Sequence, residues 1–495
     1  MILEQIAHHA NHQGEKIAYQ SSSGIITYHQ LWQQACALGQ WLQQQSGPVM
    51  VCGQKEPLVP VAFLACLLAG RPYLPTTPQF PVGRLQTICQ QADVSTVLCT
   101  GPVPPLTDVS LIDAEQLQQL CCRSVQPFTL PNNPARDAYW LFTSGSTGTP
   151  KGVRISVGAL ENFVRWMLSL PAVADCAQGI AVNQAPFSFD LSVADLWPTL
   201  VAGGSIFALD DRQQSDLPQL YQALGQSGGS RLSCTPSFAR LCLCDALFCE
   251  KLMPRLQTIF LCGETLSART ARSLMERFPH LRVLNAYGPT EATCAVTAVQ
   301  ITTCTDPLPV GRIVDAASQI LILDAAGHPL PEQTTGEIAI VGPSVGLGYV
   351  NTSQGGFGGW NGMPLYRTGD AGQIRDGLLW YQGRLDRQIK YKGYRIEPEE
   401  IEAVLLSWPE VRAAAVLPIN RRGTVAGLAA VVEWEGTPLD WAECRQRLKQ
   451  HLPSYMYPRC WKTIEQMPMT RHGKCDLHRL EEMLNDESER IKTGD

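Results

Sequence analysis

The sequence has little charge and no surplus of basic residues. Asp, Glu, Lys and Arg make up 17% of its 495 residues, and the formal net charge is -6. Such a surface offers no strong basic patch, so nucleic acid and anionic membranes are not expected partners. The chain also has no internal repeat and no low-complexity tract. These absences leave the composition of an ordinary globular enzyme.

Long hydrophobic runs are missing as well. The longest apolar stretch, around Leu58 to Gly70, contains Pro60 and is too short to span a bilayer. Residues Met1 to Glu4 lack the basic segment and following apolar segment that are typical of export signals. We therefore expect a cytoplasmic protein without membrane insertion.

Paired cysteine spacings are absent although cysteine itself is common. The 18 cysteines are scattered, and no two of them stand in CxxC spacing. A chain of this length can bury a large core without disulfides, so we expect most thiols to be reduced core residues. The length also exceeds the roughly 250 to 300 residues at which a single core stops growing, which predicts at least two domains.

The order of patterns along the chain predicts an α/β fold. Short β-rich runs such as Ser205–Leu209 and Thr258–Leu261 alternate with helical patterns, which indicates largely parallel sheets. From Gly336 to Tyr381 the chain changes to strands and Gly-rich turns, as expected of a β-rich subdomain. We place a boundary at Asp386, giving a core domain at 1–385 and a small α+β domain at 386–495.

The sharpest local feature is a loop of small hydroxyl residues and glycines at Thr143–Gly152, directly after the apolar run Tyr139–Phe142. Backbone N–H groups and hydroxyls in such a loop can surround phosphate oxygens, and Lys151 adds a positive charge. A Walker loop is excluded because that motif requires Gly-Lys-Ser/Thr at this place. The candidate phosphate-binding residues are Thr143, Ser144, Gly145, Ser146, Thr147, Gly148 and Lys151.

Five further segments follow in a fixed order, and with this loop they resemble the adenylate-forming superfamily. That superfamily includes acyl-CoA synthetases, luciferases and the adenylation domains of peptide synthetases. The segments are Phe189–Ser192, Asn285–Glu291, Tyr366–Asp370, Gly383–Asp386 and His472–Asp476. The resemblance spans nearly the whole chain. It implies a large domain of parallel-sheet subdomains plus a β-rich subdomain, and a small C-terminal domain that moves about a hinge at Asp386.

The resemblance also implies how ATP and Mg²⁺ are bound. The ring of Tyr287 would pack on adenine, Thr290 would lie near the α-phosphate, and Glu291 would supply an oxygen ligand to Mg²⁺. Asp370 suits a carboxylate that accepts both ribose hydroxyls, and Arg384 can pair with phosphate or ribose oxygens. Outside the phosphate loop, the expected ATP site is Asn285, Ala286, Tyr287, Gly288, Pro289, Thr290, Asp370, Tyr381, Gln382, Gly383, Arg384 and Lys474.

Lys474 belongs to the small domain, and the resemblance assigns it to the substrate carboxylate and the α-phosphate. Attack of one anion on another needs a cation between them, so Lys474 is expected to be catalytic together with Thr290 and Glu291. The family's Asn-Gly-Lys-aliphatic-Asp is His-Gly-Lys-Cys-Asp here, and Cys475 can pack as a small hydrophobic residue. In a second, thioester-forming state, Gly393 would let the backbone approach a phosphopantetheine arm.

Asp190 indicates that the activated acid is an amino acid. It matches the position at which amino-acid-activating members place a carboxylate for the substrate ammonium group. One subgroup is resembled most closely, the stand-alone D-alanine–D-alanyl carrier protein ligases, and the segments that carry this resemblance are Phe187–Val193, Thr235–Phe238, Phe260–Glu264, Gly342–Val345 and Tyr381–Asp386. In that subgroup a cysteine at the position of Cys262 lies beside the substrate methyl. The expected substrate-binding residues are Asp190, Leu191, Phe260, Cys262, Cys294 and Lys474. Small residues nearby leave glycine, L-alanine and L-proline open as substrates.

The acceptor is expected to be a separate protein. Gly203-Gly204-Ser205 and Gly228-Gly229-Ser230 lie within the large domain, and neither precedes a further domain of carrier length. We therefore expect a monomeric enzyme that uses ATP and Mg²⁺ and loads an acyl or peptidyl carrier protein with phosphopantetheine in trans. The alternatives are an acid–CoA ligase, for which Asp190 would be dispensable, and a non-catalytic scaffold that keeps the fold and binds a partner.

Overall fold

The computed structural model describes residues 1–125, 130–145, 148–313, 317–352, 355–421, 424–470 and 475–484. The chain divides into two compact units. Unit 1 comprises Met1–Pro78, Gln86–Phe142 and Gly152–Asp386, and unit 2 comprises Gln79–Leu85, Thr143–Lys151 and Arg387–Asp495. The domain limits 1–385 and 386–495 stay a prediction, since two short segments from the N-terminal part belong to unit 2.

Helices and strands alternate along most of unit 1. The elements of both units follow in chain order, for the residues that the structure describes. The helices are α1 (Ile2–His12), α2 (Tyr28–Leu42), α3 (Leu58–Ala69), α4 (Val82–Ala92), α5 (Ala114–Cys121), α6 (Val157–Ser169), α7 (Pro171–Ala174), α8 (Ser192–Ala202), α9 (Asp211–Ser215), α10 (Leu217–Ser227), α11 (Pro236–Cys242), α12 (Ala268–Arg277), α13 (Pro398–Leu406) and α14 (Trp441–Leu448). The strands are β1 (Ile17–Ser21), β2 (Gly24–Thr27), β3 (Val49–Cys52), β4 (Tyr73–Thr76), β5 (Thr96–Cys99), β6 (Ser110–Ile112), β7 (Asp137–Thr143), β8 (Lys151–Ser156), β9 (Ile180–Asn183), β10 (Ser205–Ala208), β11 (Arg231–Cys234), β12 (Thr258–Leu261), β13 (Arg282–Tyr287), β14 (Thr297–Gln300), β15 (Gln319–Leu323), β16 (Gly336–Val341), β17 (Gly348–Tyr349), β18 (Phe357–Trp360), β19 (Met363–Arg375), β20 (Leu378–Arg384), β21 (Ile389–Tyr391), β22 (Tyr394–Ile396), β23 (Val411–Arg421), β24 (Thr424–Trp434) and β25 (Cys460–Ile464).

Two large sheets in unit 1 are mainly parallel. One has eight strands in the order β14-β13-β12-β11-β9-β10-β1-β2, and its interior pairs are parallel while β2 and β14 are antiparallel edges. The other has seven strands in the order β17-β8-β7-β4-β3-β5-β6. Strands of such sheets are covered on both faces and are therefore almost continuously apolar, as in Val49–Cys52. The predicted α/β class with largely parallel sheets is confirmed.

A third sheet in unit 1 is antiparallel. It has the order β15-β16-β19-β18, with β20 also paired to β19. This is the β-rich part that the Gly-rich texture between Gly336 and Tyr381 predicted. The long strand β19 carries Asp370 into register with Arg384 on β20.

Unit 2 has its own small core. The strands β23, β24 and β25 form one sheet, with β23–β24 antiparallel and β24–β25 parallel, and β21 pairs with β22 as a hairpin. Ile401 and Leu405 of α13 are buried in the same apolar cluster as Val416 and Leu428. Helix α13 has Pro398 in its first turn, where proline is favoured, together with Glu399 and Glu400.

Helix α8 is the element that matters most for the site. It begins two residues after Asp190, and every residue from Ser192 to Val201 is buried. The helix ends at Gly203, which adopts φ +77°, the left-handed conformation in which glycine commonly terminates helices. Because the helix is enclosed on all sides, its charged residue, Asp195, must find partners inside the protein.

All 18 cysteines are free thiols, and twelve of them are buried. In the ranges given above, no helix has the length and hydrophobicity needed to cross a membrane.

Candidate active site

Asp190 lies in a turn before α8 that is stabilised by backbone hydrogen bonds. Phe189 N–H donates to the carbonyl of Pro186 at 3.0 Å, and Val193 N–H donates to the carbonyl of Asp190 at 2.9 Å. The Asp190 side chain is 9% exposed, and its carboxylate accepts a hydrogen bond from the Thr290 hydroxyl at 2.5 Å. The structure therefore brings together two residues predicted for different ligands, the amino acid and the α-phosphate.

An apolar wall made from several elements lies in the same part of unit 1. Four of the predicted substrate residues are buried in one hydrophobic cluster; they are Leu191, Phe260, Cys262 and Cys294. Cys262 Sγ lies 3.8 Å from the carbonyl oxygen of Cys294. The pKa of the Cys294 thiol is raised well above its usual range, first by hydrogen bonding with Cys262 and then by burial and the negative charge of Asp190. Cys262 and Cys294 are thus in contact with each other, and Leu191 directly follows Asp190 in the chain.

A strained turn follows Thr290 and holds Glu291. The short 3₁₀ turn Thr290–Ala292 is followed by Thr293 at φ 60° and Cys294 at φ 73°. Two successive non-glycine residues in the left-handed region cost about 1 to 3 kcal/mol each, and such strain collects at functional sites. Glu291 is 0% exposed, and its Oε1 accepts a hydrogen bond from the Tyr349 hydroxyl at 2.6 Å.

Glu291 supplies one side chain of the kind that binds Mg²⁺. Its carboxylate is a hard oxygen ligand, and Mg²⁺ on nucleotides is commonly bound by one or two carboxylates together with phosphates and water. Among the residues that the structure describes, no group of three or more His, Cys, Asp or Glu side chains is arranged to hold a metal ion. Glu291 would contribute one carboxylate oxygen to a metal ion that is bound by nucleotide phosphates.

Asp370 and Arg384 form a buried ion pair at the predicted ribose position. Asp370 is 0% exposed, its Oδ1 accepts from Arg384 Nη1 at 2.8 Å, and its Oδ2 accepts from the Tyr287 hydroxyl at 2.7 Å. Arg384 Nε also donates to Asp386 Oδ1 at 2.8 Å. Arg384 thereby joins the predicted ribose ligand to the last residue of unit 1 through its planar fork of donors.

The other predicted nucleotide residues lie on β13 and β20 or next to them. The rings of Tyr287 and Tyr381 are 6.0 Å apart between centroids, and burial raises the pKa of both phenols. Asn285 Nδ2 donates to the carbonyl of Pro309 at 2.7 Å. A Cβ at Gly288 would lie 2.5 Å from Cα of Ala295, so only glycine fits there. Ala286 and Pro289 flank this tyrosine turn, while Gln382 and Gly383 follow Tyr381 on β20.

The predicted phosphate loop lies in unit 2. A Cβ on Gly145 would lie 2.0 Å from the carbonyl oxygen of Thr149, so the turn requires glycine. Ser144 donates its hydroxyl to the carbonyl of Arg395 at 2.5 Å. Gly145 N–H donates to Glu400 Oε2 at 3.3 Å. One of the amides expected to bind phosphate is thus bonded to a carboxylate of α13.

Glu400 is itself part of a buried ion pair. Arg84 Nη1 donates to Glu400 Oε1, and the two side chains are only 3% and 2% exposed. Burial raises the pKa of the Glu400 carboxyl, while the charge of Arg84 and its hydrogen bond oppose that rise. Lys151 begins β8 at the end of the loop, and Gly148 adopts φ +80°.

The predicted pantetheine residue lies at the tip of a hairpin. Lys392 and Gly393, at φ 51° and +81°, connect β21 to β22, and positive φ at both positions is typical of a type I′ turn. Tyr394 stacks on Tyr455 with a centroid distance of 3.9 Å. Lys474, Ser146 and Thr147 lie outside the described residues, so their predicted roles have no structural counterpart here.

Three buried charged residues that contact the chain on either side of Asp190, or lie in α8 itself, were not predicted from the sequence. Lys55, Asp195 and Arg231 are 5%, 0% and 1% exposed. Tyr349, the partner of Glu291, was also missed. A signal was available for Asp195, because a charged residue interrupts the apolar pattern Ser-Val-Ala-Asp-Leu-Trp. Lys55 and Arg231 are distant in sequence and carry no such signal.

Comparisons with known proteins agree on one family. Residues 6–350 match the AMP-binding enzyme family, and residues 400–474 match the AMP-binding enzyme C-terminal domain. The chain is 37% identical to a D-alanine–D-alanyl carrier protein ligase of Bacillus licheniformis, over 97% of this chain and 99% of that relative. It is 36% identical to a ligase of the same name from Bacillus cereus, over 97% of this chain and 98% of the relative.

The fold has close counterparts among solved structures. One is holo-PA1221, described as an NRPS protein containing adenylation and PCP domains, at 25% identity and a TM-score of 0.83. The match covers 97% of this chain and 83% of the other. The order of the motifs and the matches over most of the sequence lead to one conclusion: the chain belongs to the AMP-binding enzyme family.

Proposed function

We propose that this enzyme activates D-alanine with ATP and transfers the D-alanyl group to the phosphopantetheine thiol of a separate carrier protein. The observation that carries the proposal is the nearly buried Asp190 carboxylate, which lies near the thiol of Cys294 and accepts a hydrogen bond from Thr290. A carboxylate in such surroundings suits a substrate ammonium group. The two D-alanine–D-alanyl carrier protein ligases at 37% and 36% identity support D-alanine as the substrate.

In the first half-reaction, an oxygen of the substrate carboxylate attacks the α-phosphorus of ATP. The new O–P bond forms as the bond to pyrophosphate breaks, which gives the aminoacyl-adenylate. Asp190 would hold the ammonium group, and Thr290 would orient the α-phosphate next to it. Lys474 would stabilise the charge that develops between carboxylate and phosphate.

At the nucleotide end, Tyr287 would pack against adenine and Asp370 would accept the ribose hydroxyls. Arg384 already orients the Asp370 carboxylate through a hydrogen bond of 2.8 Å. Glu291 would hold Mg²⁺, which when bound neutralises charge on the phosphates. The phosphate loop would contribute backbone amides, and Gly145 N–H would have to exchange its bond to Glu400 for one to a phosphate oxygen.

In the second half-reaction, the carrier thiol attacks the acyl carbon, and AMP leaves with the electrons of the broken C–O bond. Gly393 lies where the hairpin turn needs a residue with positive φ, and its missing side chain would allow a pantetheine arm to pass. Asp386 would serve as the hinge between the adenylating and thioester-forming states. The enzyme would act as a monomer in the cytoplasm, where its 18 free thiols suit a reducing environment.

The apolar wall supports a small substrate and leaves the choice among small amino acids to experiment. Cys262 and Cys294 would lie beside a methyl group, whereas glycine would leave this space empty. L-alanine and L-proline would direct their carbon atoms differently from the same ammonium position. A second reaction class, acid–CoA ligation, has no comparable support, because a fatty or aryl acid has no ammonium group for Asp190.

ATP–pyrophosphate exchange tests the first half-reaction directly. Exchange is measured with D-alanine, L-alanine, glycine and L-proline, and D-alanine is expected to give the highest kcat/KM. Thioester formation is then measured with a holo carrier protein and with free coenzyme A. Absence of exchange with every small amino acid would refute amino acid activation, and efficient transfer to coenzyme A would favour the acid–CoA ligase.

A further inference from the structure

Lys55 is a buried cation attached to the segment that presents Asp190. It lies between β3 and α3, and its Nζ donates to the carbonyl of Ala185 at 2.5 Å and to the side-chain oxygen of Asn183. The same Nζ lies 4.6 Å from the centre of the Phe187 ring. The ammonium group of Lys55 therefore contacts every second residue from 183 to 187, namely Asn183, Ala185 and Phe187.

Arg231 is a second buried cation, attached to the other end of the same segment. Its guanidinium donates to the Thr199 hydroxyl at 2.6 Å and to the carbonyl of Ala194 at 3.4 Å. Both acceptors belong to α8, which begins two residues after Asp190. Arg231 starts β11, so this contact connects the helix to the centre of the eight-stranded sheet.

Asp195 provides the negative charge that connects the two anchors. Asn183 Nδ2 donates to Asp195 Oδ2 at 3.2 Å, while the other end of the Asn183 amide accepts from Lys55. Burial raises the pKa of the Asp195 carboxyl to about 6, and the positive charges of Arg231 and Lys55 oppose the rise. Burial likewise lowers the pKa of the Lys55 ammonium to about 7, and the charge of Asp195 opposes the fall. The network is electrostatically coupled from one side of Asp190 to the other.

We propose that Lys55 and Arg231 are positioning residues that fix the segment 183–199 so that Asp190 meets the substrate ammonium group in one geometry. This inference rests on the proposed amino acid activation. Neither Lys55 nor Arg231 is among the residues predicted to bind ATP or the amino acid substrate. Buried charges are costly unless paired, and an apolar side chain would fill the same space without that cost. Positional control of the turn is what the polar network adds, because a small displacement of a binding group strongly lowers activity.

The test is the substitution Lys55→Met, with amino acid and ATP varied separately in pyrophosphate exchange. Loss of the Ala185 and Asn183 bonds frees the N-terminal side of the Asp190 turn. We expect the KM for the amino acid to rise about 10-fold or more, while the KM for ATP stays within about twofold. A purely structural role would lower the amount of folded enzyme, and with it the apparent kcat, without separating the two KM values.

Lys16→Met is the matched control. Lys16 Nζ donates to the carbonyls of Gly203 and Gln178, and Gly203 terminates α8 at the end remote from Asp190. This control removes a lysine that also binds backbone carbonyls, one of them at the C-terminal end of α8, and both KM values are expected to remain unchanged. An equal rise in amino acid KM for both variants would overturn the specific role of Lys55.

The outcomes separate the two proposals. If the wild-type enzyme activates no amino acid, the proposed function fails, and with it this inference. If the wild-type enzyme is active and Lys55→Met leaves the amino acid KM unchanged, only the positioning role is refuted. Should Lys55→Met not fold, Asn183→Ala replaces it, since it removes the Asn183 bonds to Lys55 and Asp195 and keeps Lys55 and its bond to Ala185. A selective rise of about threefold in amino acid KM would then support the proposal, and equal changes in both KM values would overturn it.

Discussion

Replacement of Asp190 by Asn is the perturbation that most directly tests how the substrate is recognised. The substitution removes the negative charge and keeps nearly the same shape. An amide oxygen can still accept the Thr290 hydroxyl, which lies 2.5 Å from the carboxylate in this structure. The fold and its thermal stability are therefore expected to be preserved, so that any loss of activity reflects the missing charge.

The magnitude follows from the burial of the side chain. Asp190 is only 9% exposed, so its interaction with an ammonium group is weakly screened by water. Breaking a buried ion pair by removing one partner costs about 3 to 5 kcal/mol. Because some solvent reaches this carboxylate, we expect a cost at the lower end of this range. A loss of about 3 kcal/mol corresponds to a decrease of roughly 150-fold in kcat/KM for the amino acid.

The assay compares D-alanine with propionate, its analogue without the amino group, in pyrophosphate exchange. The wild-type enzyme should strongly prefer D-alanine. Asp190→Asn should lose most of that preference, because its kcat/KM falls for D-alanine and hardly changes for propionate. Asp210→Asn is the control, since Asp210 caps α9 and Asn caps helices equally well. An unchanged preference for D-alanine in Asp190→Asn would refute the assignment of Asp190 to the ammonium group.

Three further predictions concern other parts of the chain. Arg84→Met and Glu400→Gln should each cost about 3 to 5 kcal/mol of stability in unit 2, and the double variant should recover most of it; calorimetry of all four proteins measures the coupling. Arg384→Lys should raise the Kd of a non-hydrolysable ATP analogue about 10-fold by calorimetric titration, because lysine cannot bind Asp370 and Asp386 together, and an unchanged Kd contradicts this. Burial raises the pKa of the Cys121 thiol to about 12, from its usual 9.0. The unfolded chain therefore loses this proton first as the pH rises above 9, so stability falls there; the fall should be smaller in Cys121→Ala when thermal midpoints are compared across pH.

The class of fold could be predicted because its signals are local. Alternating buried strands and helical patterns are properties of short windows, and the observed sheets are parallel where that alternation predicts it. The change to antiparallel pairing between Gly336 and Tyr381 follows from strands joined by Gly-rich turns, which need no helical crossover. The strands predicted at Ser205–Leu209 and Thr258–Leu261 correspond to β10 and β12, and no knowledge of a long-range contact was needed to predict them.

The composition of the site was predictable only where a motif carries its chemistry in consecutive residues. Asp190 and Thr290 were both predicted as site residues in this way, but their hydrogen bond joins residues one hundred positions apart and was not predicted. Lys55 was missed for the same reason, since its partners Asn183 and Ala185 lie far along the chain. A single lysine in a loop has the sequence signature of a surface charge, and only the packed structure shows that it is buried.

The bond between Thr290 and Asp190 gives the two predicted subsites a physical connection. Thr290 begins the strained turn that carries Glu291, while Asp190 lies between the anchors supplied by Lys55 and Arg231. We expect the substrate ammonium group to compete with the Thr290 hydroxyl for the Asp190 carboxylate, so that the bond to Thr290 lengthens or is replaced when the amino acid binds. The freed hydroxyl could then turn to a phosphate oxygen, so binding of the amino acid would prepare the group expected to orient the α-phosphate. Thr290→Val should accordingly weaken the dependence of ATP binding on the amino acid, while Thr290→Ser, which keeps the hydroxyl, should preserve it; calorimetric titration of an ATP analogue with and without D-alanine distinguishes the two. Equal coupling in the wild-type enzyme and Thr290→Val would contradict this connection.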